Sequence, residues 1–591
     1  MKIFSALVIA ILLSFTATSQ SANLLTNIHG RNLTTLNGQW QVIIDPFNAG
    51  AGNWKPIWKD QKPTGKNDFY EYAFTPSVSL QVPGDWNYQK PELTYYEGTV
   101  WYKKTFLNKN GQDKRFFLYF GAVNYLCDVY FNNELLGSHE GGFTPFQFEI
   151  TGKLKDTNSV IVRVNNQRKA DDIPALNYDW WNYGGITRDV SLVETPLNYV
   201  KDYTIQLEKN KANIIAGWVQ VSGKKLSTPV SITIPKLHIN YKTTTDKNGK
   251  AWFQISANPH LWSPAYPELY DVAISSGNDS IHELIGFRTV QVKGEEILLN
   301  GKSIFLKGIN IHEEIPQQVR RAYSEADAEM LLHWAKELGC NFVRLTHYPH
   351  NEYMVRLADK LGIMLWEEVP LWQNIQFSNP KILDKADTML NEMITRDKNR
   401  CSIIMWSLSN ETAPSADRNI TLTAMAAYVR SLDSTRLVTA ALNHVRYDNN
   451  LITIDDSICN VLDVVGVNEY LGWYVPWPAK PSEMVWKNPY NKPLIMSEFG
   501  AEALYGQHGS ADSNGYWREE REAQVYKDQL TMFKNIPFLR GTCPWVMADF
   551  RSESRLQPVF QQGWNRKGLL SNKGLKKKAW YVMHDFYERL K

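Results

Sequence analysis

Short runs in which apolar and polar residues alternate dominate the chain up to about Pro196, and this period of two predicts half-buried strands. "VWYKKTF", "RFFLYFGAVNYLCDVYFNN", "ELLGSHEGGFTPFQFEI" and "SVIVRVNN" are set apart by turn residues, the pattern of a β-sandwich. Between Asn198 and Val292 the runs "AGWVQVSG", "VSITI", "AWFQIS" and "YDVAIS" predict a second, smaller sandwich. The pattern changes at "EEILLNGKSIFLKGINIH", where apolar strand-like runs begin to alternate with amphipathic helices. "SEADAEMLLHWAKELG" predicts one such helix, with Ser324 as cap, Asp327 three residues on and Gly339 as stop. Ala328, Leu331, Ala335 and Leu338 give it a buried stripe. Strands are predicted at "IFLKGINIH", "NFVRLTHY", "IMLWEEV", "IIMWSLSNE", "LVTAALNH", "DVVGVNEY", "PLIMSEFG" and "GTCPWVMADF", and eight of them fit a closed (β/α)8 barrel.

In such a barrel the chemistry sits where strands end. The ends here carry His312, His347 and Tyr348, Glu367 and Glu368, Asn410 and Glu411, Asn443 and His444, Asn468 and Tyr470, Glu498, and Trp545 and Asp549. Loop starts are ordinarily polar, but they favour Gly, Asp and Ser. Carboxylates, histidines and aromatics at almost every end predict one shared pocket. Glu411 and Glu498 stand out because each follows an apolar run, and an ionised carboxylate beside so apolar a stretch is costly unless paired. A lone strand-end Glu is ordinarily solvated or salt-bridged. Two of them, on the fourth and seventh strands facing across the mouth, are what retaining glycoside hydrolysis needs: one attacks the anomeric carbon, and the other protonates the departing oxygen and then activates water.

Composition narrows the partners. Over 591 residues the net charge is +3, too small a surplus to imply a nucleic-acid partner, and 21 Trp and 29 Tyr offer flat faces with a polar edge that suit sugar rings. After Lys2, an apolar run from Ile3 to Phe15 is too short to span a bilayer, and Ala17 and Ser19 are placed for cleavage after Ser19. Export to the periplasm or the medium is the expectation. The five cysteines are scattered with no C-x-x-C, so neither a zinc site nor a disulfide framework is indicated.

Together, "RDKNRCSIIMWSLSNE" and "PLIMSEFG" resemble the acid/base and nucleophile signatures of glycoside hydrolase family 2. "LNGQWQVIID", "VPGDWN", "YEGTVWYKKTF", "YGGITRDVSLVE" and "GKSIFLKGINIHEE" extend the resemblance over nearly the whole mature chain. With the leader over 1–19 set apart by its own pattern, the resemblance implies a jelly-roll, sugar-binding-like β-sandwich over 20–197, an immunoglobulin-like sandwich over 198–293 and a catalytic TIM barrel over 294–591. It also implies Glu411 as general acid/base and Glu498 as nucleophile, with Asn410 near the sugar's 2-hydroxyl. Glu411 is then expected to carry a raised pKa and Glu498 to be ionised. No metal or organic cofactor is needed, because both reacting groups are protein carboxylates.

The N-x-K pair Asn565 and Lys567, in "GWNRKG", is similar to the pair with which the family's β-glucuronidases grip a C6 carboxylate; an ammonium and an amide can both donate to one. Weaker similarities make Asp179, in "NYDWWNYGGITR", a residue that reaches the sugar from the N-terminal sandwich. They also offer His347, Asn468, Tyr470 as a hydrogen-bond donor to the nucleophile, and Trp545 as a floor under the ring. The resemblance thus implies an exo-acting enzyme for terminal β-D-glucuronides. A β-galacturonidase or β-galactosidase of the same family, and a carbohydrate-binding protein on an inactive barrel, are the rivals. Self-association into a homo-oligomer is left open.

Overall fold

The computed structural model describes residues 24–590, apart from 53–54, 69, 76, 109–112, 224–226 and 513. The expected leader over 1–19 lies outside the described residues. No helix among the described residues is long and apolar enough to cross a membrane.

Two antiparallel sheets form the first sandwich. Six strands run in the spatial order Val78–Val82, Gly38–Asp45, Thr99–Leu107, Thr157–Asn165, Leu126–Phe131, Glu134–Glu140, against four in the order Asn32–Thr35, Val190–Pro196, Lys114–Phe120, Phe146–Glu149. Alternate residues point between the sheets and close a core around Trp40, Trp86, Tyr102, Leu118 and Val162. The second sandwich packs a three-stranded sheet on a four-stranded one. In its strand Asp279–Ile285 every second residue is buried, the period of two expected from the sequence.

A parallel sheet of nine segments follows, and its first two pieces, Leu306–Lys307 and Asn310–His312, belong to one interrupted strand. Leu306 pairs with Gly541 of the eighth strand, whereas Asn310 pairs with Arg344 of the second, so this strand closes the barrel. The interruption falls at Gly308, where a Cβ would meet the Thr542 carbonyl oxygen at 2.9 Å and the Cys543 sulfur at 2.4 Å; only a bare backbone fits there. The other strands are Phe342–Thr346, Met364–Glu368, Ile403–Asn410, Leu437–Leu442, Val465–Asn468, Leu494–Glu498 and Leu539–Thr542. Their burial is continuous, because helices cover the outer face. The helix Glu325–Glu337 begins with the expected capping box, Ser324 accepting from the Asp327 N–H and Asp327 from that of Ser324.

One boundary differs. The eighth strand ends at Thr542, so Trp545 and Asp549 sit in the segment beyond it rather than at its tip. Gly541, Thr542 and Cys543 are the apolar part of "GTCPWVMADF" that reaches the barrel, and Pro544, which lacks an N–H, ends the ladder. All five cysteines are free and buried.

Candidate active site

Arg344, on the second barrel strand and fully buried, organises the mouth of the barrel. Its guanidinium donates to Glu498 Oε1 at 2.8 Å, to both oxygens of Glu368 at 3.0 Å, and to Asn410 Oδ1 at 2.8 Å. Burial works to protonate Glu368, but Arg344 outweighs it and holds the carboxyl below its ordinary range. His347 Nδ1 lies 2.8 Å from Glu368 Oε1, and burial depresses the imidazole pKa. An ionised carboxylate only accepts, so Nδ1 carries the proton and Nε2 is left as a lone pair, 3.9 Å from Glu498 Oε1. The His347 ring stacks on Trp545, centroids 4.8 Å apart, and both rings line the cavity.

Glu411 follows the fourth strand in a left-handed conformation, φ 51°, which a non-glycine residue adopts at a cost. Its N–H is pinned to the Ala441 carbonyl at 2.8 Å, and the turn aims the side chain into the mouth. Both carboxylate oxygens accept from amides: Oε1 from Asn468 Nδ2 at 2.9 Å and Oε2 from Gln373 Nε2 at 2.9 Å. Asn468 is itself oriented by Ser497, whose hydroxyl donates to its Oδ1 at 2.7 Å. Asn410 accepts from Arg344 and from Asn468, and its Nδ2 has no hydrogen-bond acceptor among the described residues. That leaves a donor for a ligand hydroxyl.

Glu498 ends the seventh strand with Arg344 on Oε1 and the Tyr470 hydroxyl on Oε2, each at 2.8 Å. The Tyr470 bond is the one expected, yet it does not decide the ionisation. Burial pushes Glu498 up to about 8, Arg344 opposes it, the charge on Glu411 adds to the rise, and Tyr470 holds it back only in part. The raised carboxyl was expected at Glu411 with Glu498 ionised. Glu498 is instead pushed up, because it is buried at the end of its strand.

Glu411 and Glu498 line a single cavity of about 560 Å³, with Asp179, His347, Asn468, Tyr470, Trp545 and Lys567 among the other lining residues. Asn410 and Asn565 are buried, each bonded to a lining residue, Asn410 to Asn468 and Asn565 to Asp179. Lys567 already has partners within the fold: its ammonium lies 2.5 Å from Glu502 Oε1 and 2.6 Å from the Tyr474 hydroxyl. Asn565 Nδ2 donates to Asp179 Oδ2 at 3.0 Å. Asp179 does reach the cavity from the N-terminal sandwich, but Arg555 grips both of its oxygens, and Ser552 and Ser554 donate to it. Burial works to raise Asp179 and Glu502; Arg555 and Lys567 outweigh it and keep both below the ordinary range. Two cations and two carboxylates thus balance in this corner.

Arg344, Gln373, Glu502 and Arg555 were not singled out from the sequence. Arg344 could have been, as a charge inside the apolar run "NFVRLTHY". Arg555 could not, because only the fold carries its loop to Asp179. Of the other strand-end residues, Asn443 lines the cavity, whereas Glu367, Asp549 and His312 do not. Glu367 accepts from Arg396 on a covering helix, Asp549 is held by Arg566 and Lys577, and His312 packs on Phe550.

Three family models cover the chain: "Glycosyl hydrolases family 2, sugar binding domain" over 33–196, "Glycosyl hydrolases family 2" over 198–288 and "Glycosyl hydrolases family 2, TIM barrel domain" over 290–584. A curated β-glucuronidase of Streptococcus agalactiae serotype V is 29% identical over 530 residues, which span 80% of this chain and 86% of that one. Among solved structures, a β-glucuronidase of an uncultured Clostridium sp. superposes with a TM-score of 0.82 at 26% identity, over 95% of this chain and 98% of that one. A β-galacturonidase of Eisenbergiella tayi, bound to galacturonate, shares the fold with a TM-score of 0.79 at 24% identity, over 95% and 98%.

Proposed function

We propose, from the premise that the chain belongs to glycosyl hydrolase family 2, that it is a retaining, exo-acting β-glucuronidase. The observation that carries this is the shared cavity in which Glu411 and Glu498, from strands four and seven, are joined by Lys567 and Arg555. A neutral glycoside would need no cations in that wall, whereas the C6 carboxylate of a uronide accepts charge-assisted bonds from them. Because Glu502 and Asp179 already hold these cations, the substrate carboxylate joins a shared network rather than filling a vacant positive pocket.

In this reading Glu498 attacks the anomeric carbon while Glu411 protonates the departing oxygen. The glycosyl–Glu498 ester is then hydrolysed by a water that Glu411 deprotonates. Asn410 donates to the 2-hydroxyl through its free Nδ2, and Trp545 lies under the ring. The proton that burial keeps on Glu498 must be given up before attack. The reactive form therefore has Glu498 ionised and Glu411 protonated. The apolar run Ile3–Phe15 supports export with cleavage after Ser19, which N-terminal sequencing of the mature protein checks.

The test compares aryl glycosides that differ only at C6 and C4. Wild type is expected to favour the glucuronide over the glucoside and the galacturonide. Lys567→Ala is expected to lower kcat/KM for the glucuronide about 10–100-fold, the worth of one charge-assisted bond, and to affect the glucoside much less. Glucuronide hydrolysis that survives the change intact would sink the carboxylate role of Lys567.

A further inference from the structure

The cavity extends past the two carboxyls to a wall that the proposed chemistry does not use. Glu411 marks the leaving-group side, since it is the proton donor to the departing oxygen. Arg555 and Lys567, which form a corner with Asp179 of the N-terminal sandwich, belong to the segment after the eighth strand, which stands across the barrel from the fourth. Beside Glu411 the lining passes to Trp372 and Gln373 after the third strand, Asn443, Val445 and Tyr447 after the fifth, and Glu469 after the sixth. Val445 and Tyr447 lie on a hairpin, Val445–Asp448 with Leu451–Ile454, that continues beyond the fifth strand.

Glu469 is the unexplained member of this wall. It is 4% exposed, and its Oε2 accepts from the Tyr447 hydroxyl, while Oε1 completes no hydrogen bond among the described residues. A buried carboxyl with one idle oxygen is costly. Burial pushes Glu469 up to about 7, with the Tyr447 hydroxyl and the N–H groups of Tyr470 and Leu471 holding it down. Among the described residues no Lys or Arg lines this part of the cavity; its two ionisable carboxyls, Glu411 and Glu469, are both acidic. Trp372 adds a flat face, and Gln373 and Asn443 add amides, around a space that one sugar ring does not fill.

We propose that Glu469 and Tyr447 form a leaving-group subsite for sugar hydroxyls, so that the preferred substrate is a uronic acid linked to a neutral, hydroxyl-rich sugar. The inference rests on the uronidase reading above. A hydroxyl of the second sugar donates to Glu469 Oε1 and completes its hydrogen bonding, with Trp372 against one ring face. A second uronate would meet two acidic side chains and be disfavoured, and a flat apolar aglycone would leave Glu469 Oε1 unsatisfied.

Three β-glucuronides test this: one with an aryl leaving group, one with a neutral hexose and one with a second uronic acid. Wild type should cleave the hexose-linked disaccharide at least tenfold better, in kcat/KM, than the uronate-linked one. Glu469→Ala should cost the hexose-linked substrate at least tenfold more than the aryl substrate. Tyr447→Phe, a change on the exposed hairpin away from the barrel strands, should show the same bias more weakly. Equal losses on both substrates in both variants, or wild-type hydrolysis of the aryl glucuronide alone, would overturn the subsite and leave the uronidase reading standing. A wild-type enzyme inert toward all three overturns both.

Discussion

At the scale of single residues, the pocket turns on where one proton sits. Glu498 is raised to about 8 by burial, and Glu411 contributes to that rise through its charge. Replacing Glu411 with Gln removes the charge and leaves an amide in its place, so Glu498 should ionise at lower pH. A nucleophile reacts only when ionised, so covalent trapping by a 2-fluoro-glucuronosyl fluoride should rise with pH. In wild type its midpoint should lie near 8, and Glu411→Gln should move that midpoint downward. The fluoride leaving group needs no acid, which isolates the nucleophile's titration from the loss of the proton donor. A midpoint that stays put or climbs would show that the Glu411 charge does not act on Glu498. The labelled peptide should contain Glu498, and a label elsewhere would remove it from the nucleophile's role.

At the scale of elements, the loop after the eighth strand ties the N-terminal sandwich to the barrel mouth. Ser552, Ser554 and Arg555 all converge on Asp179, while Arg555 also reaches the Tyr474 hydroxyl at 3.2 Å. Arg555→Ala should cut glucuronide kcat/KM about 10–100-fold and spare the glucoside. Its effect should not add to that of Asp179→Asn, because each residue works through the other. Full additivity in the double variant would refute the coupling. The same loop shows where sequence reading stops. The barrel strands were legible because burial on both faces writes an unbroken apolar run, and Glu411 and Glu498 were legible because they break such runs at their ends. Lys567 was found by its motif, but its bond to Glu502 spans 65 positions and the Arg555–Asp179 pair spans 376, separations that no local pattern encodes. Tyr447 escaped for another reason: its hairpin is short and exposed, so it leaves only a weak alternation.

At the scale of the whole molecule, the seam between sandwich and barrel is built on buried charge, with Arg188 and Arg321 on Glu313 and with Asp85 accepting from the Arg321 N–H. Two carboxyls at this seam lack a full counter-charge. Burial raises Glu314 to about 8 from 4.5, against the Arg551 N–H that it accepts at 3.0 Å, and raises Asp85 to about 6 from 3.8. Between 4.5 and about 8 the folded protein keeps a proton on Glu314 that the unfolded chain has released, so this group's contribution to stability falls as pH rises through that window. Glu314→Gln preserves the shape and the acceptor of the neutral acid without its ionisation. At pH 5, where Glu314 is neutral in the fold, the apparent Tm should match wild type. At pH 9, where wild type must bury an ionised carboxylate, the variant should melt higher by at least about 2 °C. Equal destabilisation at both pH values would mean that Glu314 is ionised and paired in the fold, and the seam would then owe its cohesion to that charge rather than bear its cost.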